Sequence, residues 1–376
     1  FLYFIGASRM AARTSPAPQQ QPGASVPTIA IDLGTALVKW ARTGDVRLRD
    51  TLRTNAAAAE QLRTGRDRTV IAQHVVPLLQ MVLHGENIAT LPLGANPPTI
   101  ALLTGAHTNP DVVAVVRDFF ENAGRVRCTV LSSAAAALAA GGLTSGVVVD
   151  IGRHSTRCHA VVSGYAVPRA SRVTPRGFDT VMDALRRRML EDPVIKEKHV
   201  KRVQGDAVIE STLIASGIVA PPEPANCAQP GDSDAVSRQR TEALEAQVPV
   251  MLRFDIVPVC VAPAFEALFA PSDGETVHGL PIGSLVAETL NETCRLTQLA
   301  EATSAICVVG TCADVPGLRR RVLEESVAYA RSEEFDAPDR ARIAEALLDA
   351  VAVNPAPYTA WAAPAVGGAL LVDAGL

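Results

Sequence analysis

One short pattern occurs twice in the chain and constrains its fold more than any other feature. An apolar run ends in Asp32, followed by one apolar residue and Gly34, and the same pattern returns at Asp150 and Gly152. A second apolar run follows each glycine, so each copy predicts a β-hairpin with an aspartate at the end of its first strand. A repeated unit predicts two similar lobes. On these pairs alone, coincidence between two buried strands is an equally good explanation.

Strands and helices alternate through the rest of the chain, which predicts a mixed α/β fold. Asn109 is a candidate N-cap for a helix that begins at Pro110. Two stretches have a different composition: residues 14–26 are rich in Pro and Gln and predict a flexible arm, and residues 220–243 predict a disordered insertion. Each is either a segment that folds on contact with a partner or an unstructured surface loop.

Charge and composition argue against several classes of function. The net charge of −4 is unlike that of a nucleic-acid binder, which carries a basic face. No stretch approaches about 18 uninterrupted apolar residues, so we expect no membrane anchor and no signal peptide. The scattered cysteines contain no CxxC pair, which favours reduced thiols in a cytosolic protein. Neither a zinc-protease motif nor a serine nucleophile elbow is present in the sequence.

The two hairpins offer groups that suit a polyphosphate. Turn amides cradle phosphate oxygens, and each aspartate can orient the water shell of a Mg²⁺ ion. Gly34 lets the backbone approach a phosphate closely, Thr35 adds a hydroxyl, and Lys39 adds a point charge. Alternatively, each aspartate caps its own turn, and Lys39 is an ordinary charge at the edge of a strand.

Eight segments, in chain order, resemble the actin family. Each carries little weight alone, but their order is specific and they cover most of the chain after residue 29. The resemblance implies an α/β actin-like fold: two related lobes, each with a mixed sheet flanked by helices, four subdomains, and a cleft between the lobes. The segments are 32–39 (DLGTALVK), 102–110 (LLTGAHTNP), 146–152 with 164–168 (GVVVDIG, GYAVP), 177–179 (GFD), 195–198 (IKEK), 265–272 (FEALFAPS), 309–311 with 316–317 (VGT, PG), and 358–361 with 367–368 (YTAW, GG).

The resemblance also implies a division into subdomains and a nucleotide site in the cleft. The division is 1–26 as the arm, 27–48 with 69–141 and 356–376 as subdomain 1, 49–68 as a reduced subdomain 2, 142–176 with 277–355 as subdomain 3, and 177–276 as subdomain 4 with the insertion. The implied nucleotide-binding residues are Asp32, Gly34, Thr35, Lys39, Asp150, Gly152, Lys196, Glu197 and Gly310, of which Lys196 and Glu197 approach the adenosine.

The second loop departs from the family pattern. Arg153 and His154 replace an Asp-Gly pair, and we expect the bulk of Arg153 to fill part of the cleft. The water-activating His of the family aligns with Arg157 and its water-positioning Gln with Ser133, so nothing evident orients an attacking water. We therefore expect no ATP hydrolysis and no cofactor in an empty or collapsed cleft; ATP or ADP bound with Mg²⁺ but not turned over is the alternative. Ala36, Val315 and Pro357 are further departures at the phosphate and base contacts.

Two further differences argue against a filament of identical subunits. The stretch over 46–90 is shorter than in the family, and the resemblance ends soon after residues 367–368. These features predict a structural subunit or adaptor held among other proteins in a cytoplasmic, cytoskeletal assembly such as the dynein–dynactin system or a ciliary axoneme. The alternatives are an ATP-driven conformational switch and a nuclear subunit of a chromatin-remodelling complex. A sugar kinase of the same superfamily would need a second catalytic aspartate that the sequence does not show.

Overall fold

The computed structural model is a mixed α/β fold in which mixed sheets are flanked by helices. The arm predicted for residues 1–26 lies outside the part that it describes. The described residues are 28–45, 47–86, 99–123, 126–223, 233–253, 255–271, 279–295, 299–353 and 358–374.

Strands and helices alternate along the chain, in keeping with the predicted mixed α/β class. The strands are β1 (Ile29–Leu33), β2 (Leu37–Arg42), β3 (Asp50–Arg53), β4 (Thr99–Thr104), β5 (Arg127–Ser132), β6 (Gly146–Ile151), β7 (Thr156–Val162), β8 (Tyr165–Ala166), β9 (Arg172–Thr174), β10 (Gln247–Leu252), β11 (Asp255–Cys260), β12 (Ala305–Gly310) and β13 (Val351–Val353). The helices are α1 (Ala56–Thr64), α2 (Arg68–Gly85), α3 (Pro110–Asp118), α4 (Ser133–Ala140), α5 (Phe178–Glu191), α6 (Pro193–Lys198), α7 (Val200–Val203), α8 (Asp206–Ser216), α9 (Ser233–Glu245), α10 (Ala262–Phe265), α11 (Ile282–Arg295), α12 (Leu299–Ala302), α13 (Leu318–Arg331), α14 (Arg340–Leu348) and α15 (Ala363–Asp373).

Two sheets of the fold share one topology. The first has the order β3-β2-β1-β4-β5, in which β1 to β3 are antiparallel and β1, β4 and β5 run parallel. The second has the order β8-β7-β6-β12-β13 with the same alternation of directions, and β9 also pairs with β7. The registers match as well, because Asp32 lies opposite Lys39 and Asp150 lies opposite Arg157. The repeated sequence pattern therefore occupies equivalent hairpins of the two sheets.

Two helices of small residues pack against each other between these sheets. Helix α4 contacts the second sheet through its alanines, and α15 lies on β1, β2 and β4 of the first sheet. A Cβ atom at Gly367 of α15 would lie 1.7 Å from the carbonyl oxygen of Ala136 in α4. The two helix backbones are therefore in direct contact, which only a glycine at this position permits.

Part of the predicted disordered insertion is a helix, so that prediction is wrong for α9; residues 224–232 lie outside the described chain. Helix α9 buries none of its residues. It is held by Arg240, which donates to Glu266 at 2.8 Å and also contacts the Pro221 carbonyl. A helix with no buried residue leaves no apolar periodicity in the sequence, so its composition resembles that of a linker.

The short stretch over 49–68 forms β3 and α1. Asn55 caps α1, because its side chain accepts a hydrogen bond from the Ala58 amide at 2.8 Å. Leu62 of this helix reaches the cleft between the sheets. Within the ranges given above, no helix is long and apolar enough to cross a membrane.

The contact between α4 and α15 generates a stability prediction. Gly367→Ala places a methyl group inside the Ala136 backbone, and overpacking of this kind costs about 1–3 kcal/mol. We expect a lower urea midpoint of unfolding. Gly85→Ala is the matched control. Gly85 lies in α2, and a Cβ atom there would meet only the Trp40 ring, at 4.0 Å. An unchanged midpoint for Gly367→Ala would contradict the close packing.

Candidate functional site

A cavity of about 540 Å³ lies between the two sheets. The turn after β1 and the turn after β6 form opposite parts of its wall. This volume is within the range of roughly 300–1,000 Å³ found for small-molecule sites. Of the two alternatives in the prediction of an empty or collapsed cleft, the collapsed cleft is therefore wrong.

The two turns have the same hydrogen bond. The Gly34 amide donates to the Leu37 carbonyl at 3.0 Å, and the Gly152 amide donates to the Ser155 carbonyl at 3.0 Å. The amides between them have no backbone acceptor within the described chain, and their residues line the cavity. Successive free amides in a turn are typical of anion-binding sites. These amides belong to Thr35 and Ala36 in the first turn and to Arg153 and His154 in the second.

The Lys39 side chain is bound by Asp32 of its own hairpin and by the Trp361 carbonyl. Its Nζ lies 2.7 Å from Oδ2 of Asp32 and donates to the Trp361 carbonyl at 3.0 Å. Burial alone would lower the pKa of Lys39, but the charge and hydrogen bond of Asp32, together with the charge of Asp150, raise it. Lys39 is therefore a cation, and its charge is balanced by Asp32.

The equivalent pair of the second lobe is arranged differently. Asp150 and Arg157 both line the cavity and are opposite each other in the β6–β7 register. Burial raises the pKa of Asp150, and the charges of Arg157 and Lys39 oppose that shift. Among the described residues, the Arg157 guanidinium has neither a hydrogen bond nor a carboxylate within 4.0 Å. The two hairpins thus share a register but differ in how their charges are satisfied.

Arg153 lines the cavity and is held there by acids of two helices. Its guanidinium contacts three carboxylates, with distances of 2.9 Å to Asp179, 2.8 Å to Asp206 and 3.7 Å to Glu210. Glu210 also lies 3.9 Å from Arg53 of β3, so one carboxylate is near arginines from both sheets. Because these acids hold its side chain, Arg153 lines the cavity without closing it.

His159 lies deeper in the same wall and is only 3% exposed. Its Nδ1 is 2.9 Å from the Ser171 hydroxyl, and it lines the cavity beside Gly105. Burial, with the nearby charges of Arg157 and His107, lowers the pKa of His159 to about 4. The imidazole is therefore neutral near pH 7.

Most of the predicted site residues meet at this cavity. Gly310 has a φ of +106°, and a Cβ there would lie 2.3 Å from the Ile151 carbonyl, so the strand end requires glycine. The predicted residues that line the cavity are Asp32, Gly34, Thr35, Lys39, Asp150, Gly152 and Gly310.

Lys196 and Glu197 do not line the cavity, so their predicted approach to a base there needs correction. Both side chains are exposed on α6, because the turn of that helix buries Ile195 instead. Helix α8 supplies the cavity wall on that side. The sequence analysis missed its three lining residues, Glu210, Leu213 and Ile214. The apolar pattern of α8 indicates a helix, but no local signal shows that it faces a cavity.

No known protein family matches the chain, and a search of curated proteins finds no match. A functional argument therefore depends on the residues of the cleft.

Burial of His159 generates a prediction about pH. In the unfolded chain the imidazole has the ordinary histidine pKa of about 6.5, whereas in the folded chain burial lowers the pKa of His159 to about 4. The stability that depends on neutral His159 is therefore present above about pH 6.5 and lost as the pH falls to 4, by roughly 3 kcal/mol if the whole shift is expressed. In the His159→Gln variant the urea midpoint of unfolding should change less between pH 6.5 and pH 4 than it does in the wild type. If the plots of urea midpoint against pH are parallel for the wild type and the variant, His159 is not the group that causes the loss of stability.

Proposed function

We propose that this chain is a divergent actin-related protein whose nucleotide site has degenerated. It serves as a structural subunit or adaptor among other proteins of a cytoskeletal assembly of the dynein–dynactin or axonemal kind. The proposal includes the actin-like fold with its four subdomains, a cytoplasmic location and the absence of ATP hydrolysis.

The observation that carries the proposal is the pair of equivalent hairpins at one cavity. Two sheets of one topology place a glycine turn and an aspartate on each side of the cleft. This arrangement supports the resemblance of the eight sequence segments, because the first and third of them are these two turns. Two such turns at equivalent positions of two matching sheets are what an actin-like fold would contain.

The chemistry of the cleft supports a structural role. Arg157 and Ser133 occupy the cavity wall where the resemblance places the groups that activate and position water. A guanidinium is always protonated and does not accept a proton from water. A serine hydroxyl donates and accepts at one oxygen of a short side chain, whereas a glutamine amide has two N–H donors and a separate acceptor oxygen. At these two positions the chain therefore has neither the imidazole that would take a proton from water nor the amide that would position it, which supports the proposed absence of hydrolysis.

A second candidate function is an ATP-binding switch. The size of the cavity and the free turn amides favour it, because both are suited to a bound polyphosphate. A ligand that binds between two lobes shifts the protein between its open and closed states only if it binds one state more tightly than the other. The switch differs from the structural role in requiring a partner affinity that ATP alters.

Two measurements test the proposed function. Phosphate release from Mg·ATP by the purified protein should equal that of the buffer, both with the free chain and under salt conditions that polymerise actins. In the same conditions the protein should stay in the supernatant after high-speed sedimentation. Turnover that scales with protein concentration, or a pelleted filament of this chain alone, would contradict the proposal.

A further inference from the structure

The donor set of the cleft does not fit the Mg²⁺ ion that the resemblance implies. Asp32 is bound to Lys39 at 2.7 Å, so a metal-bound water would compete with an ammonium for its carboxylate. Arg153 holds the position in the second turn where the family pattern has a carboxylate, and it is bound to three acids, of which Glu210 lines the cavity. In the part of the chain that the structure describes, no three His, Cys, Asp or Glu side chains are grouped to hold a metal.

The groups left unsatisfied at the cavity are chiefly hydrogen-bond donors. Four turn amides have no backbone acceptor in the described chain. Arg157 adds a guanidinium with five N–H donors and no acceptor of its own. Asp150 is the opposing group: burial raises the pKa of its carboxyl, and the charges of Arg157 and Lys39 oppose that shift. An excess of donors beside a guanidinium suits a ligand made of anionic oxygens.

The matching registers of the two hairpins allow Arg157 to be compared directly with Lys39. It occupies in the β6–β7 hairpin the position that Lys39 occupies in the β1–β2 hairpin. Lys39 is balanced by Asp32 at 2.7 Å, whereas no carboxylate lies within 4.0 Å of Arg157 in the described chain. Of this equivalent pair, Arg157 is the cation that remains available to a ligand.

We propose that the cleft binds a phosphate-bearing anion through Arg157 and the turn amides, without a divalent metal ion. The guanidinium supplies the positive charge that a metal supplies elsewhere, and its planar fork matches phosphate oxygens in pairs. This inference rests on the proposed function only in treating the cleft as a degenerate nucleotide site. It does not require hydrolysis, lobe movement or a partner protein.

The test is calorimetric titration of the full chain with tripolyphosphate and with ATP, each in EDTA and in excess Mg²⁺. We expect binding in EDTA that is at least as tight as in Mg²⁺. Arg157→Gln should weaken binding in EDTA by about tenfold or more, the loss typical of a charged hydrogen bond. Arg157→Lys keeps the charge but not the paired donors. Its affinity in EDTA should lie between those of the wild type and Arg157→Gln. Tripolyphosphate binding as tightly as ATP would show that the phosphates alone are recognised.

Arg342→Gln is the matched control, because Arg342 is exposed on α14 and pairs with its neighbour Asp339, away from the cavity. It removes the same charge and should leave both affinities unchanged. A thermal melt of each variant separates loss of binding from loss of folding, and Arg157→Lys is compared if Arg157→Gln does not fold.

Three results would overturn the inference: no binding in EDTA, binding that requires Mg²⁺, or equal affinity for wild type and Arg157→Gln. These results differ from those that contradict the proposed function, which are turnover and filament formation. Metal-free binding together with ATP turnover would support the inference and contradict the proposed structural function.

Discussion

The contact between α4 and α15 is the constraint on which the rest of the structure depends. Gly367 brings the backbone of α15 onto that of Ala136; α15 lies on the first sheet, and α4 contacts both sheets. The small residues that allow this approach therefore set how near the two sheets lie. Because each sheet ends its first strand in a glycine turn, that spacing places the two turns around one cavity. The site is a consequence of helix packing, and neither lobe forms it alone.

Within the cavity, the chain supplies charges of both signs and balances most of them itself. Asp32 and Lys39 neutralise each other beside the first turn, and three acids from helices α5 and α8 neutralise Arg153 in the second turn. Burying unpaired charge is costly, so a cleft that normally holds a metal nucleotide would lose stability when empty. Internal pairing removes that dependence and is compatible with a protein whose role is structural. Asp150 and Arg157 are the exceptions, because neither has an ion pair within 4.0 Å in the described chain, and Arg157 is the cation that a ligand can still bind.

Sequence reasoning succeeded where structure is determined locally. The hairpins at Asp32 and Asp150 follow from apolar runs interrupted by glycine, and their equivalence follows from repetition. It failed where position depends on distant parts of the chain. The acids that bind Arg153 come from two different helices, and no spacing in the sequence links them. Lys196 was placed at the site by resemblance alone, whereas the burial of Ile195 turns it to solvent.

The central claim is that the chain holds its cleft together with its own side chains. Thermal unfolding tests it directly, by comparing the purified protein in Mg²⁺ with the same protein dialysed against EDTA in a buffer free of nucleotide and phosphate. The account predicts one melting temperature in both conditions, since no metal contributes to the folded state. A clear fall after EDTA dialysis, restored by Mg²⁺ with ATP, would contradict it and show that a metal nucleotide stabilises the lobes.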